Sequence, residues 1–483
     1  MKLIGLPGGQ YRPLTNEQIL KLHQAGLDIL EHIGFTYEAG LEEIMAALAR
    51  AGAKVDKDRA RVFFPPEMVM ELAAKAPSAF TLYGREGRPD IELAGERVYL
   101  GTGGAAVKIL DLETGEARSS TLRDIYQLGR LVDQLENIHF FMRPCVPTEL
   151  PVEAYDINNY FACLKATGKH VMTGVVDVAG FHQALDLAGQ LAGGLEALKA
   201  RPIISIVSCY AISPLKFCTQ STLNLLEAVK YGVPAALSAA PMAGLTSPLT
   251  MAGTLAQLHA EQLAGIALCQ IYAPGAPVLY GGIPGTANMR SMSYQGGVIE
   301  FGMMNAAIAQ LAHFIKVPNY NSSGLSDSKI PDAQAGWEKG ASTLLAAMGG
   351  SNFIHHAAGM LESMLAVAYE QYVLDDEIIG ASCKVLKGIE VDDEHLALDV
   401  IAEVGPGGNF IMTEHTIKHM KSEYFQGNGV SDRKIRDKWV RDGALDAWRR
   451  ARVLVKQILA REEKSYLPAE VERDIRVKYR IYL

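Results

Sequence analysis

The chain has 483 residues, a formal net charge of −8 at pH 7 and a pI near 5.9. Hydrophobic residues make up 49% and charged residues 21% of it, which is typical of a globular protein and excludes long disordered tails. The acidic balance argues against nucleic acid as the main ligand, because nucleic-acid-binding domains carry a dominant basic surface.

The cysteines and the N-terminus indicate the compartment. The six cysteines form no C-x-x-C pair and no His/Cys cluster at metal-ligand spacing, and so large a chain needs no disulfides, so we expect reduced thiols. The first residues lack the apolar core of a signal peptide. Residues 233–258 are uncharged, but Pro241, Pro248 and many small residues favour a buried segment over a membrane span. We therefore expect a cytoplasmic protein that does not contact membranes.

The first 125 residues predict an α+β segment. Thr15 followed by Gln18 has the spacing of a capping box and predicts the start of a helix. Strand patterns follow at 80–83 and 98–100, and a hairpin pattern follows at 107–112.

From residue 138 onward, short apolar segments alternate with helical patterns. Eight segments are predicted as buried strands: 138–145, 170–176, 203–210, 233–241, 277–282, 317–323, 353–357 and 410–413. Seven helices are predicted between them: 154–166, 179–191, 215–231, 249–272, 292–313, 333–348 and 359–374. Eight such units favour an α/β fold of the (β/α)8 TIM-barrel type. A doubly wound open sheet is the rival, and the lack of a dinucleotide-binding fingerprint argues against it.

This pattern predicts three parts. Residues 1–130 form an N-terminal α+β segment packing on the barrel, residues 131–420 form the barrel, and residues 421–483 form a helical C-terminal extension. A long helical extension leaves assembly into a homo-oligomer open.

The stretch 319–338 is the first candidate site, because it carries more polar residues than a strand-to-helix connection needs. In a barrel it would lie at the carboxyl ends of the strands, where active sites occur. Asn321 and Gly324 follow the strand directly, although Asn321 could equally be a turn residue. Asp327, Lys329 and Asp332 either serve the site or pair with one another and cap the next helix.

Other strand ends add Arg143, Tyr210, Tyr280, His355 and His356. The arginine is either an ion-pair partner or a carboxylate binder, and the tyrosines are either ligand contacts or core aromatics. Strand alternation predicts that one of the two adjacent histidines faces inward and the other outward. A zinc site from Cys145, Cys209 or His355 is geometrically possible, but no spacing supports it.

Several motifs together resemble one family. Residues 324–338, the Tyr280-Gly-Gly run, the Thr102-Gly-Gly-Ala run and residues 111–115 are similar to the trimethylamine:corrinoid methyltransferase family. The resemblance covers essentially the whole chain. It implies a TIM barrel that moves a methyl group from an amine to the cobalt of a separate corrinoid protein.

The resemblance also indicates a branch of the family. The archaeal trimethylamine enzymes carry a pyrrolysine, whereas this chain has only standard residues, and Gly324 is our best match to that position. The chain thus resembles the non-pyrrolysine branch, whose characterised type is a glycine betaine methyltransferase. The implied substrate is a quaternary amine, in the first place glycine betaine, giving dimethylglycine. Proline betaine, carnitine and γ-butyrobetaine remain open, because they differ only in pocket fit.

The resemblance implies roles for the candidate residues. Asn321 and Gly324 would lie nearest the transferred methyl group. Aromatic faces would hold the ammonium, and arginine, histidine or amide groups would hold the carboxylate. The implied substrate-binding residues are Tyr99, Arg143, Tyr210, Tyr280, Gln334, Phe353, His355 and His356. Because no proton need move, Asp327, Lys329 and Asp332 would shape the barrel mouth.

The cofactor implied by the resemblance is cobalamin, carried by a cognate corrinoid protein, with no metal or nucleotide bound by this chain itself. Two other classes remain open at this point. One is a non-catalytic protein that binds quaternary amines, and the other is an unrelated barrel lyase, which would hold a metal.

Overall fold

The computed structural model describes residues 2–3 and 5–483 and has a mixed α/β fold. The helices are Asn16–Asp28, Glu42–Arg50, Pro66–Ala73, Leu122–Asp133, Val152–Ala166, Val178–Ala192, Leu195–Ala200, Thr219–Lys230, Met251–Tyr272, Ile299–Phe314, Ala333–Met348, Tyr369–Lys387, Asp393–Leu396, Leu398–Val404, Glu414–His419, Arg436–Arg441, Ala447–Leu459 and Ala469–Lys478. Thr15 caps the first helix, and the predicted capping box with Gln18 is confirmed.

A nine-stranded sheet organises the chain, and eight of its strands are parallel. They are β1 (Arg97–Leu100), β2 (Phe141–Met142), β3 (Val171–Thr173), β4 (Ile204–Ser208), β5 (Ala235–Leu237), β6 (Val278–Gly282), β7 (Asn319–Ser322) and β8 (Phe353–His355). The order is β2-β3-β4-β5-β6-β7-β8-β1, with Leu6–Pro7 antiparallel beside β1. An isolated parallel bridge joins Gly101, after β1, to Phe140, before β2. The sheet is thus curled, with its two end parallel strands meeting at this bridge.

Smaller sheets surround this one. Their strands are Lys2–Leu3, Phe35–Tyr37, Lys54–Asp56, Arg61–Phe63, Ala79–Leu82, Asp90–Ala94, Lys108–Leu110, Ala117–Ser119, Ala211–Ile212, Lys216–Phe217, Met242–Ala243, Gly285–Ala287, Tyr294–Gln295, Met360–Leu361 and Ala366–Ala368.

The two faces of the curled sheet carry different apolar clusters, because successive side chains on a strand point to opposite faces. The helix-facing side chains join the large core, as Phe141, Tyr280 and Ile354 do. The inner face carries a separate cluster of Tyr99, Phe140, Met142, Met172, Ala236, Leu279, Tyr320 and Phe353. The curled sheet is therefore buried on both faces.

One predicted strand is wrong. Residues 410–413 form an exposed turn, with the Ile411 and Met412 side chains 73% and 81% exposed. Its expected place beside β8 belongs to β1, where Phe353 pairs with Tyr99. A four-residue apolar run fits a buried strand or an exposed turn equally well, so pattern alone misassigned it.

The last predicted helix also begins later than expected. Residues 360–368 form the hairpin strands Met360–Leu361 and Ala366–Ala368, and the helix starts at Tyr369. The division into residues 1–130, 131–420 and 421–483 stays a prediction, although β1 from the first part lies within the large sheet. No helix among the described residues is long and apolar enough to cross a membrane.

Candidate functional site

Polar side chains gather at the carboxyl ends of neighbouring parallel strands. Tyr320 and Ser322 lie on β7, which pairs with β8 at His355. Burial raises the pKa of Tyr320, and the neighbouring Cys209 thiol raises it further. Burial also raises the pKa of Cys209, partly offset by the Ser238 hydroxyl. We call this set the inner cluster; it comprises Cys209, Ser238, Tyr320, Ser322, His355 and His356.

Aromatic rings form a column along the inner face. The ring of Phe140 stacks on that of Phe353 with centroids 3.6 Å apart. Tyr320 lies 6.3 Å from Phe353 and stacks on His355 at 4.1 Å, with an interplanar angle of 6°. The column thus runs from the apolar interior into the inner cluster.

Both adjacent histidines belong to this cluster, so the prediction that one faces outward is wrong. His356 has a φ of 61°, which takes it out of the strand conformation and turns its ring to 3.9 Å from the ring of His355. Alternation ends where a strand ends. The Nδ1 atom of His356 lies 2.7 Å from the hydroxyl oxygen of Ser322.

The two histidines are uncharged at neutral pH. Burial and the neighbouring His356 hold the pKa of His355 well below its ordinary value. Burial and the nearby ammonium of Lys339 lower the pKa of His356 to about 3. The Nε2 atom of His355 is buried and has no hydrogen-bond partner among the described residues, as is rare for a buried polar atom.

Cys209 lies beside an internal space. It follows β4 and has accessible surface, and the preceding inner-face residue Val207 is half-buried. Protein atoms nevertheless surround the thiol closely enough for burial to raise its pKa. The inner cluster therefore adjoins a space inside the protein at the carboxyl ends of the strands.

A buried ion pair supports the wall of the site. The Nζ of Lys339 lies 3.1 Å from the Oδ2 of Asp375, and both side chains are fully buried. The same ammonium donates to the carbonyls of Gly324 and, at 3.0 Å, Met360. The amide of Gly359 donates to Asp375 at 2.7 Å. The pair thereby ties the loops after β7 and β8 together.

Gly324 fits this wall only as glycine. Its φ is 65°, and a Cβ atom there would lie 2.8 Å from backbone atoms of Ala357. Its amide donates to Ser342 Oγ at 3.1 Å. A side chain at this position would require the backbone to shift.

The three predicted tyrosines and Asn321 are bonded to groups outside the inner cluster. The hydroxyl of Tyr99 accepts from the amides of Gly5 and Glu92. Tyr210 donates to the carbonyl of Glu261, and the hydroxyl of Tyr280 lies 2.7 Å from Nδ1 of His259. Asn321 donates to the carbonyl of Asn305 and, at 2.7 Å, to Ser351 Oγ. Phe353, in contrast, lies in the aromatic column.

Arg143 lies just beyond the carboxyl end of β2. It follows Met142, an inner-face residue, and its NH1 atom donates to the Tyr155 hydroxyl at 2.7 Å. Its Nε atom is buried without a partner. Among the described residues, no carboxylate lies within ion-pair distance of the guanidinium, so a charged donor near the strand ends is still available.

The polar residues after Gly324 hold their own loop and join it to two other loops. Asp327 Oδ1 accepts from the amides of Gly296 and Gly297 at 3.0 and 3.2 Å and from the hydroxyl of Ser363. Asp332 caps the helix Ala333–Met348. Two further pairs complete the loop: Lys329 with the carbonyl of Asp327, and Gln334 with the carboxylate of Glu338.

Sequence reasoning missed Ser238, Tyr320, Ser322, Lys339 and Asp375. The strand ends were recognised, but a strand buried on both faces has no polar face from which the phase of alternation could be read. On β7, Asn321 is the predicted site residue, whereas the inward pair is Tyr320 and Ser322. The ion pair comes from two helices far apart in sequence, and no local pattern predicts it.

Solved structures share this fold. A hydroxylamine complex of MtmB matches with a TM-score of 0.50 and 11% identity, covering 92% of each chain. The Methanosarcina barkeri monomethylamine methyltransferase MtmB also matches, with a TM-score of 0.50 and 10% identity over 92% of this chain and 91% of that chain. At such identities these matches concern the fold alone.

Curated relatives match in sequence over nearly their full length. A trimethylamine methyltransferase MttB from Desulfitobacterium hafniense is 34% identical, covering 96% of this chain and 92% of the relative. A glycine betaine methyltransferase from the same species is 33% identical, covering 98% and 97%. The MttB of Methanosarcina thermophila is 30% identical, covering 97% of each. A sequence model of the trimethylamine methyltransferase (MTTB) family matches residues 3–480, and the chain therefore belongs to this family and is a methyltransferase.

Proposed function

We propose that this enzyme moves a methyl group from a quaternary amine, in the first place glycine betaine, to the corrinoid of a separate protein, releasing dimethylglycine. The observation that carries the proposal is the aromatic column ending in two uncharged histidines. The glycine betaine methyltransferase among the relatives supports the choice of substrate class.

The proposal includes a closed (β/α)8 barrel. Eight parallel strands, each followed in the chain by at least one helix, lie in one sheet, and the bridge from Gly101 to Phe140 connects its two end parallel strands. The segment 1–130 would contribute the first strand, residues 131–420 the other seven, and residues 421–483 the helical extension. Substrate would then bind at the carboxyl ends of the strands.

The aromatic column suits a permanent cation. A quaternary ammonium cannot donate a hydrogen bond, so it is held by aromatic faces and by the absence of competing positive charge. The pKa of His356 near 3 keeps one such charge out of the site. Tyr320 and His355, rather than Tyr280 and Tyr210, are the rings placed to contact the ammonium.

The uncharged histidines also fit the chemistry. Demethylating a quaternary ammonium releases a neutral tertiary amine, so the leaving group needs no proton from the protein. The enzyme has to position the methyl group and exclude water. Demethylation of trimethylamine would instead release a dimethylamide anion unless the amine were first protonated. The inner cluster holds no carboxylic acid and no charged histidine to supply that proton. Gly324 is our match to the pyrrolysine of the archaeal trimethylamine enzymes, and no side chain fits there. This also favours a quaternary amine over trimethylamine as the substrate.

The corrinoid supplies a reduced cobalt that accepts the methyl group. In parallel barrels the active site opens at the carboxyl ends of the strands, where Cys209 follows β4. We therefore assign this face to the cognate corrinoid protein. The cobalamin would remain with that partner, and this chain would contribute only the wall and the substrate contacts.

The carboxylate of the betaine needs a donor near the column. His355 Nε2 is one candidate because it is buried without a partner, and Arg143 is a second because it has no carboxylate of its own. These two groups would set the distance between ammonium and carboxylate. That distance separates glycine betaine from carnitine and γ-butyrobetaine.

The test is a substrate panel with a reduced corrinoid protein as acceptor. Glycine betaine, proline betaine, carnitine, γ-butyrobetaine and trimethylamine are compared by the appearance of methylated corrinoid. We expect turnover with at least one quaternary amine. Absence of turnover with all of them, despite saturable binding by calorimetry, would instead indicate a non-catalytic binding protein.

A further inference from the structure

The segment 389–424 is held by few apolar contacts. The side chains of Ile389, Val391, Met412 and Tyr424 are 88%, 72%, 81% and 75% exposed. Within this segment only Ala397 is buried. Burial of apolar surface therefore contributes little to its order, and polar side chains have to connect its short helices.

Two histidines and a glutamate converge there. His415, His419 and Glu423 follow one another at four-residue intervals, which places them on one face of helix Glu414–His419 and the turn after it. His395, on helix Asp393–Leu396, faces them with its ring centroid 5.1 Å from that of His419. One side-chain ligand atom from each of His395, His419 and Glu423 lies within 4.8 Å of the others.

We propose that His395, His419 and Glu423 bind a divalent transition-metal ion, with Zn²⁺ as the representative. Imidazole nitrogen and carboxylate oxygen are the usual protein ligands of such ions. Ligand bonds of about 2.0–2.2 Å in a tetrahedral site place the donor atoms roughly 3.3–3.6 Å apart. Rotation of these partly exposed side chains closes the remaining distance.

The surroundings of the ligands support this assignment. Nδ1 of His395 lies 2.7 Å from Asp392 Oδ1, which fixes the ring and leaves Nε2 for the metal, as carboxylates do behind many metal-binding histidines. Nε2 of His419 is buried without hydrogen-bond geometry to any group, although Glu394 Oε1 lies 3.1 Å away. Asp392 and Glu394 add negative charge that favours a dication, and the Lys418 ammonium, 2.5 Å from Glu394 Oε1, offsets part of it.

The metal would join helix Asp393–Leu396 to helix Glu414–His419. The apolar contacts that normally fix such helices are missing, so one metal would replace them as a cross-link. The site lies outside the inner cluster, and it does not depend on the proposed methyl transfer.

The first test is equilibrium binding of Zn²⁺ to the untagged, chelator-treated full chain. We expect one saturable equivalent. His395→Ala and His419→Ala should each bind at least about tenfold more weakly, because even the loss of an outer partner of a ligand costs that much. His182→Ala is the matched control, since His182 also pairs with a surface carboxylate, Glu227, at 3.0 Å. No saturable binding, or unchanged binding by His419→Ala, would overturn the proposal.

The second test asks whether the metal orders the segment. Zn²⁺ should slow tryptic cleavage at Lys418 and Lys421 in the parent chain and leave the rate unchanged in His419→Ala. Circular dichroism of the variants confirms that they fold. Equal cleavage of the parent with and without Zn²⁺ would contradict the cross-link.

Discussion

Neighbouring tyrosines on β6 and β7 separate the inner face from the helix-facing side. Gly281 pairs with Tyr320, so Tyr280 is offset by one residue and points to the opposite side. Tyr280 contacts His259, whereas Tyr320 stacks on His355. The two residues therefore form a matched pair for testing which face binds substrate.

Tyr320→Leu should raise KM for the betaine about tenfold, since a desolvated cation–π contact contributes about 1–2 kcal/mol. Tyr280→Phe should leave KM unchanged while lowering the melting temperature, because it removes only the contact with His259. Steady-state kinetics of both variants measure this. A larger rise of KM in Tyr280→Phe than in Tyr320→Leu would indicate that the substrate binds on the helix-facing side of the sheet, and it would contradict the proposed site.

Lys339→Met should destabilise the protein by about 3–5 kcal/mol, because it leaves the Asp375 carboxylate buried without its charge partner. It should also raise the pKa of His356, which the ammonium of Lys339 lowers. Urea unfolding measures the first effect and histidine NMR the second.

The NMR titration separates positioning from mere destabilisation. Asp375→Asn breaks the same ion pair but keeps the ammonium, so the pKa of His356 should stay low in that variant. An unchanged His356 pKa in Lys339→Met would contradict the proposed role of Lys339.

Sequence reasoning reached the strand ends but not the side chains that meet there. His355, His356 and Phe353 were predicted, and they do lie together in the structure. Tyr320 and Ser322 were missed because the run 319–323 is buried on both sides and has polar residues at both odd and even positions. Its pattern therefore does not show which side chains point inward. The φ of 61° at His356 is set by packing, and no sequence pattern reveals it.

At the level of elements, the loop after β7 connects three parts of the chain. The Asp327 carboxylate holds the amides of Gly296 and Gly297 and the hydroxyl of Ser363. Its predicted role in shaping the barrel mouth remains a prediction, and these contacts supply the physical reason for it.

Asp327→Ala should lower the free energy of unfolding by about 1–3 kcal/mol, because it leaves buried donors unsatisfied. Asp327→Asn keeps an acceptor oxygen and should recover part of the loss. The pH dependence of turnover should be the same in both variants as in the parent. A displaced pH profile would show that the carboxylate takes part in proton transfer.

Seven of the eight predicted strands exist, because short apolar runs bounded by turn residues are strong signals. The eighth predicted strand, 410–413, is wrong, because the alternation of apolar segments and helices after residue 138 holds only seven of the eight parallel strands. Strand β1 lies earlier, within a stretch of hairpins, where local pattern cannot separate it from its neighbours. Only pairing between Tyr99 and Phe353, distant in sequence, decides its place.

Across the whole molecule, buried uncharged histidines make stability depend on pH. Burial lowers the pKa of His139, His170, His259 and His356 from 6.5 to about 3. Between these values the unfolded chain binds protons that the folded chain does not, so stability falls as pH falls below 6.5. Glu261 and Asp156 oppose this, because burial raises their pKa values to about 7 and about 6.

His23, His313 and His355 also have lowered pKa values, and Asp375 and Asp376 have raised ones, so lowered histidines still outnumber raised carboxylates. Each group contributes at most about 1.4 kcal/mol per pH unit. The free energy of unfolding should therefore decrease between about pH 6 and 5. Replacing the buried His259 by Gln should reduce this slope. Urea titrations at a series of pH values measure the slope, and a constant or rising stability over this interval would refute the explanation.

Transfer of a labelled methyl group from glycine betaine to a reduced corrinoid protein tests the proposed reaction most directly. We expect label on the corrinoid and an equal amount of dimethylglycine, with no transfer from trimethylamine under the same conditions. Turnover of trimethylamine without turnover of any quaternary amine would contradict the proposed function.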